Sequence, residues 1–167
     1  ASTDGSLAWL AQVHPPVRVI PLPTNLGFAG GYNAALEQVM ADRFILLNSD
    51  VEVTEGWVET LNTYLDAHPR MAACQPKVRS LQDPGRFEHA GAAGGFIDRN
   101  GYPFCRGRIF EITEEDHGQY DDEREVFWAT GACMLIRAEA FRSAQGFDAY
   151  LFAHMEEIDL CWRLRRM

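Results

Sequence analysis

Closely spaced cysteines are missing from this sequence. Its four, Cys74, Cys105, Cys133 and Cys161, stand more than twenty residues apart. That excludes a CxxC zinc or redox pair and the dense disulfide framework of a small secreted scaffold, and it points to a reduced, cytoplasmic setting. Basic residues are scarce, with 15 Lys and Arg against 24 Asp and Glu and a net charge of −9. Phosphate-backbone binding needs clustered cations, so nucleic acid is not expected as a partner. No apolar run approaches the roughly 18 residues of a membrane-spanning helix, and no signal-peptide pattern opens the chain. Neither a GxGxxG dinucleotide fingerprint nor a Walker loop ending in GK[ST] is present. An anionic substrate would have to be met by a metal ion or by backbone amides.

What is present is one domain's worth of chain, 167 residues that are 47% hydrophobic, enough for a substantial core. Its organising stretch is Phe44 to Glu52, FILLNSDVE. The unbroken run Phe44, Ile45, Leu46 and Leu47 suits a strand covered on both faces, as in the middle of a parallel sheet. Such a strand delivers Asn48, Ser49, Asp50 and Glu52 to the carboxyl edge, where open α/β folds bind ligands. A carboxylate there suits a divalent cation that shares phosphate oxygens. The same residues also suit a turn and a helix cap.

Taken in order, Ser2, Thr3 and Asp4 cap a helix over Ser6 to Val13, which Pro15 and Pro16 stop. Val17 to Leu22 reads as a short strand. Asn25 to Asn33, NLGFAGGYN, sets three glycines before a helix through Ala34, Ala35, Leu36 and Val39. It suits either a phosphate or sugar contact at a helix N-terminus or a glycine-rich turn that lets the helix pack closely. Thr54 caps a helix to about Ala67, and Met71 to Val78 supplies the next strand. This alternation predicts βαβ units and a mostly parallel sheet flanked by helices. Asn100-Gly101 marks a hairpin between Gly94 to Asp98 and Tyr102 to Cys105. Glu111 to Glu125 carries eight acids against one arginine and reads as a solvated, flexible loop. Val126 to Arg137 gives two apolar pieces hinged at Gly131. A helix over Ala138 to Ala144 follows, then a closing helix that His154, Glu156, Glu157 and Asp159 precede or open.

Four stretches in this order, ASTDGS, NLGFAGGYNAAL, LLNSDVE, and the pair GACMLIRAEAF with GFDAYLFAHMEEIDLCWRLR, carry a resemblance that covers nearly the whole chain. The sequence resembles the inverting family 2 glycosyltransferases of GT-A fold, particularly bacterial rhamnosyltransferase-like enzymes of cell-surface polysaccharide synthesis. The resemblance implies an α/β fold and transfer from a nucleotide-diphospho-sugar donor to a saccharide or lipid-linked acceptor, with inversion. Asp50 corresponds to the last acid of the family's DxD-type motif, which holds Mg²⁺ or Mn²⁺. Asn48 stands where many relatives have the first acid, and Glu52 or His154 is the candidate second protein ligand. Asn25, Gly27, Gly30 and Asn33 resemble the donor loop, and Gly131 and Ala132 the acceptor-side GA segment. In the family's EDxDLCxR motif the Asp after the first Glu is the general base. Here that position is Glu157, after Glu156, with Asp159 in reserve.

These correspondences predict a nucleotide-sugar-binding half over residues 1–80 and an acceptor-side half over 81–167, the latter containing the flexible acidic loop 111–125. The family's first strand and the second strand's acid-Asn pair do not appear before ASTDGS. The chain is therefore expected to be a partial catalytic domain prone to self-association, acting in the cytoplasm or on the inner face of the cell membrane through segments outside it. A nucleotidyltransferase-like enzyme and a non-catalytic binding domain that keeps the fold are the alternatives.

Overall fold

The computed structural model describes residues 2–13 and 17–167. The helix stop expected at Pro15 and Pro16 lies outside the described residues. The chain divides into two compact units, Ala1–Met40 with Phe147–Glu156, and Ala41–Gly146 with Glu157–Met167. The first joins the chain's beginning to a segment near its end.

In the first unit, helix α1 (Ser6–Val13) starts where the Asp4 carboxylate accepts from the Ser6 amide at 3.1 Å, as a cap should. Residues 17–22 form no strand, because Pro21 and Pro23 lack the N–H a ladder needs. Helix α2 (Gly27–Leu36) begins earlier than expected. Gly27 is its first residue, and Gly30 and Gly31 lie inside it rather than in a loop before it.

The second unit holds β1 (Arg43–Leu47), α3 (Trp57–Ala67), β2 (Ala73–Cys74), β3 (Gly95–Ile97), β4 (Pro103–Cys105), β5 (Arg108–Ile109), β6 (Ile112–Thr113), β7 (Cys133–Arg137) and α4 (Ala138–Ser143). Helix α5 (Glu156–Arg166) starts at the unit boundary. The mixed α/β class expected of a GT-A-like domain is what the chain adopts, but the pairing is not parallel. Strands run in the order β1-β7-β2, and both ladders are antiparallel, with Leu47 opposite Cys133 and Cys74 opposite Leu135. Strands β1 and β2 do share a direction, as a crossover through α3 requires, and β7 inserts between them. The expectation of a central β1 is corrected for the same reason. Burial alternates along β1, whereas β7 is buried from Cys133 through Ile136, as a strand covered on both faces is.

Thr54 is not the cap of α3. Gly56 is, at φ +73°. The helix buries Leu61 and Leu65 with Cys74 and Leu135, and Ile45, Trp57, Tyr64 and Met71 pack against them. The Arg137 guanidinium closes the other end of α3, donating to Met71 O at 2.8 Å, Leu65 O at 2.7 Å and His68 O at 3.3 Å.

A second, small sheet runs β3-β4-β5-β6 and contains the expected hairpin. Asp98 Oδ1 accepts from the Asn100 and Tyr102 amides at 2.8 and 2.9 Å, and Gly101 sits at φ +90°. The acidic segment is not the flexible, purely solvated loop expected. Lys77 pairs with Asp116 at 2.8 Å and also with Asp121, Arg86 with Glu115 at 2.9 Å, Arg106 with Asp122 at 2.8 Å and Arg165 with Glu125 at 2.8 Å. The acids are matched by cations far off in sequence, which local charge counting cannot reveal.

Candidate active site

In the second unit, β1 ends at Leu47 and the next amide, that of Asn48, donates to Ala132 O at 3.0 Å. One hydrogen bond thus sets the end of FILLNSD beside the Gly131-Ala132 turn. That turn is itself built in. Thr130 is buried, its amide donates to Gln75 Oε1 at 2.8 Å, and its hydroxyl accepts from the Ala132 amide at 3.2 Å. Gly91 leaves the room, since a Cβ there would lie 2.4 Å from Thr130 Cβ. Beyond Asn48 the chain turns outward, and Asp50 and Glu52 are exposed. Among the described residues no three His, Cys, Asp or Glu side chains gather into a metal cage.

The closing helix supplies the other carboxylates. Glu157 is half-buried. Asp159 is engaged, accepting from Arg163 Nη2 at 2.7 Å. The same guanidinium donates to Ala144 O and, at 2.8 Å, to Gly146 O, so the pair ties α5 to the end of α4. All four cysteines are free and buried. Burial pushes the Cys74 and Cys161 thiols up to about 11, which leaves them protonated and poor nucleophiles at neutral pH.

In the first unit, Asn25 Oδ1 accepts from the Gly27 amide at 2.9 Å. The remaining donor-loop candidates turn out to face the chain itself. Asn33 donates to Phe147 O and accepts from the Phe147 amide. Gly30 leaves space beside Ala149, and a Cβ at Gly27 would lie 2.6 Å from both the ring and the carbonyl oxygen of Phe152. The Ala29 amide donates to that carbonyl at 3.1 Å. Residues 27, 30 and 33 fall on one face of α2, and that face is the seat of segment 147–152. Their three-residue spacing was the available signal for helix packing. The segment then leads to exposed His154 and to Glu156, which is 5% exposed and has one carboxyl oxygen without a hydrogen-bond partner among the described residues.

The family model for glycosyl transferase family 2 matches residues 1–144. The chain belongs to that family. Among similar proteins, the N-acetylglucosaminyl-diphospho-decaprenol L-rhamnosyltransferase of Mycobacterium tuberculosis is 30% identical over 98% of this chain and 58% of its own length. The O-antigen biosynthesis protein RfbC of Myxococcus xanthus is 29% identical over 79% of this chain and 10% of its own. The low-salt glycan biosynthesis hexosyltransferase Agl10 of Haloferax volcanii is 23% identical over 92% of this chain and 48% of its own. The chain thus spans somewhat more than half of the rhamnosyltransferase. Among the described residues no helix is long and apolar enough to cross a membrane.

Proposed function

We propose that this family 2 domain belongs to an enzyme that transfers a sugar, of the hexosyl or rhamnosyl type, from a nucleotide-diphospho-sugar to a saccharide or lipid-linked acceptor during bacterial cell-surface polysaccharide synthesis. The observation that carries the reading is the similarity of nearly the whole chain to a rhamnosyltransferase whose name gives a decaprenol-linked acceptor. A rigid strand end that presents Asp50 to solvent supports it from the structure's side.

In this reading the acceptor hydroxyl oxygen forms a bond to the anomeric carbon while the bond from that carbon to the diphosphate oxygen breaks on the opposite face. Configuration inverts and no covalent enzyme intermediate forms. Glu157 takes the hydroxyl proton, and the nucleoside diphosphate leaves with the bonding electron pair. Asp50 would hold Mg²⁺ or Mn²⁺, with Glu52 as the nearby second carboxylate. An exposed carboxylate fits an ion most of whose ligands come from phosphate and water. When bound there, such an ion would supply charge neutralisation for the leaving diphosphate. Asn48, tied through its amide to the Gly131-Ala132 turn, lines the same strand end. The reaction is assigned to the cytoplasmic side of the cell membrane, where a lipid-linked acceptor presents its headgroup.

The test uses the full-length protein with UDP-, GDP- and dTDP-linked sugars and Mn²⁺. Asp50→Asn is expected to abolish metal-dependent nucleotide binding while the melting temperature holds. Glu157→Gln should lower turnover roughly a hundredfold or more at nearly unchanged donor affinity. Full turnover by Glu157→Gln would remove it from the base role. Formation of nucleoside triphosphate and sugar 1-phosphate when pyrophosphate is added, with no sugar transferred to any acceptor, would favour a nucleotidyltransferase instead.

A further inference from the structure

Within the second unit, strand β3 and the segment 125–128 lie side by side and open a cleft of about 280 Å³ whose lining includes Phe96, Glu125, Val126, Phe127 and Arg165. Backbone fixes its walls. The Phe127 amide donates to Gly95 O at 2.7 Å and the Gly95 amide to Trp128 O at 3.2 Å, while the Trp128 indole donates to Phe96 O at 3.0 Å. Gly94, at φ +107°, admits Val126 so closely that a Cβ there would lie 2.5 Å from Val126 Cγ1. A cleft held this way keeps its shape before any ligand arrives, which cuts the ordering cost of binding.

Phe96 and Phe127, both half-buried, make its apolar surface. An ion pair completes it. Arg165 donates to Glu125 Oε1 at 2.8 Å and to Val126 O at 3.2 Å, and its guanidinium stands 5.0 Å from the centre of the Phe127 ring. The pair is open to solvent over 42% and 78% of its two side chains, so it adds little to stability. Three contacts nevertheless hold the guanidinium in one place.

The chemistry of this lining selects among ligands. A guanidinium beside a carboxylate offers donors and acceptors together, which neighbouring hydroxyl groups match and a phosphate does not, because the Glu125 charge repels it. A prenyl chain would fill the apolar part and leave both charges without a match. The volume is just under the ~300–1,000 Å³ of sites that enclose drug-sized ligands, enough for one ring and too small for a nucleotide.

We propose that this cleft is a saccharide subsite, with the C–H face of a pyranose ring against Phe96 and Phe127 and its hydroxyls on Arg165 and Glu125. Arg165 follows Glu157 along α5 by just over two turns, about 12 Å of helix axis. The ring bound here is therefore not the one whose hydroxyl reacts at Glu157 but a further sugar of the same acceptor. That acceptor role rests on the transferase reading, whereas sugar binding in the cleft does not.

The test uses the full-length protein labelled with 5-fluorotryptophan. Trp162, whose ring centre lies 5.5 Å from that of Phe127, reports on the cleft, and Trp162→Phe assigns its resonance. Methyl glycosides of glucose, rhamnose and N-acetylglucosamine are titrated at millimolar concentration. At least one is expected to shift the Trp162 resonance saturably, and Arg165→Gln and Glu125→Gln, each melting like the parent, are expected to bind it about tenfold more weakly. Should either variant not fold, the other decides. Absence of any saturable shift overturns the proposal, as does binding that the folded variants do not weaken. Inorganic phosphate shifting the resonance where no glycoside does would make the cleft an anion site, and geraniol doing so would make it a lipid contact; either result overturns the subsite. In transfer assays the parent should use an acceptor of two sugars at a lower KM than an acceptor of one, and Arg165→Gln should remove most of that advantage at unchanged kcat. Glycoside binding without that KM difference refutes the acceptor role. If the parent transfers no sugar from any of the three donor types, the transferase reading fails, and the titration still decides whether the cleft holds a sugar.

Discussion

The side-chain amide of Asn33 clasps both backbone polar groups of Phe147, donating from Nδ2 to the carbonyl at 2.8 Å and accepting at Oδ1 from the N–H at 2.9 Å. Only an amide matches a donor and an acceptor side by side. Asn33→Asp keeps the acceptor but sets a carboxylate against the Phe147 carbonyl, and Asn33→Ala leaves both groups without that partner. Each is expected to cost about 1–3 kcal/mol, with Asp no better than Ala. Urea denaturation of the full-length protein checks this, and an Asp variant as stable as the parent would contradict the clasp.

Gly95 opens β3 flat against Trp128. A Cβ there would sit 2.0 Å from the indole carbons Cδ2 and Cε2, and the indole is held by its own donation to Phe96 O at 3.0 Å. Gly95→Ala must therefore displace a buried, hydrogen-bonded ring, a change expected to cost about 2–4 kcal/mol. Gly101→Ala, at the hairpin turn with open space around it, meets only backbone strain and should cost about 1 kcal/mol. Chemical denaturation that ranks the two in the reverse order would refute the packing argument.

Arg137 gathers three carbonyls at the end of α3. Arg137→Met keeps the aliphatic stem and strands those acceptors. A loss of about 2–3 kcal/mol is expected, with Arg137→Lys intermediate because a single ammonium cannot reproduce the planar fork. Equal stability of the Met and Lys variants would show that the stem, not the fork, is what counts.

Stability should also depend on acid through the tethered segment. Hydrogen bonding from the Lys77 ammonium and then the Gly118 amide hold the Asp116 carboxyl below its ordinary range. Burial alone would lower the Lys77 ammonium, but its bonds to Asp116 and Asp121 outweigh that and raise it. A depressed carboxyl stabilises the fold above its unfolded value, near 4, and that contribution is lost as pH falls through the folded one. Lys77→Met should therefore be less stable at neutral pH and lose less on acidification below about pH 4. Urea midpoints from pH 7 to pH 2.5 that fall in parallel for both proteins would rule this out.

Local pattern carried a good part of the architecture. The cap of α1, the helical spacing of α1 and α3, the strand that stops before Asn48 and the Asn100-Gly101 hairpin are short-range features, and short-range chemistry specifies them. Some failures are local, as at Pro21 and Pro23 and at the Gly56 cap, but the larger ones are long-range. Nothing near β1 discloses that its partner is β7, or that Cys133 to Ile136 is the strand flanked on both sides. Lys77, Arg86, Arg106 and Arg165 lie outside the acidic stretch they hold, so it reads as free when viewed alone. At the candidate site the sequence presents Asp50 and Glu157 through motif position. It hides the Asn48 to Ala132 bond, and it does not disclose that Gly27 and Gly30 pack beside Phe152 and Ala149.

The insertion of β7 between β1 and β2 also sets a schedule for making the protein. Arg43 meets Arg137 across the ladder, so on the ribosome β1 waits for roughly ninety further residues before its partner exists, and loop closure over such a span is slow. Through that interval Phe44, Leu46, Leu61 and Leu65 have no sheet to pack against. The nascent chain up to residue 132 therefore leaves these apolar side chains uncovered until the five residues of β7 supply the strand that pairs with both β1 and β2.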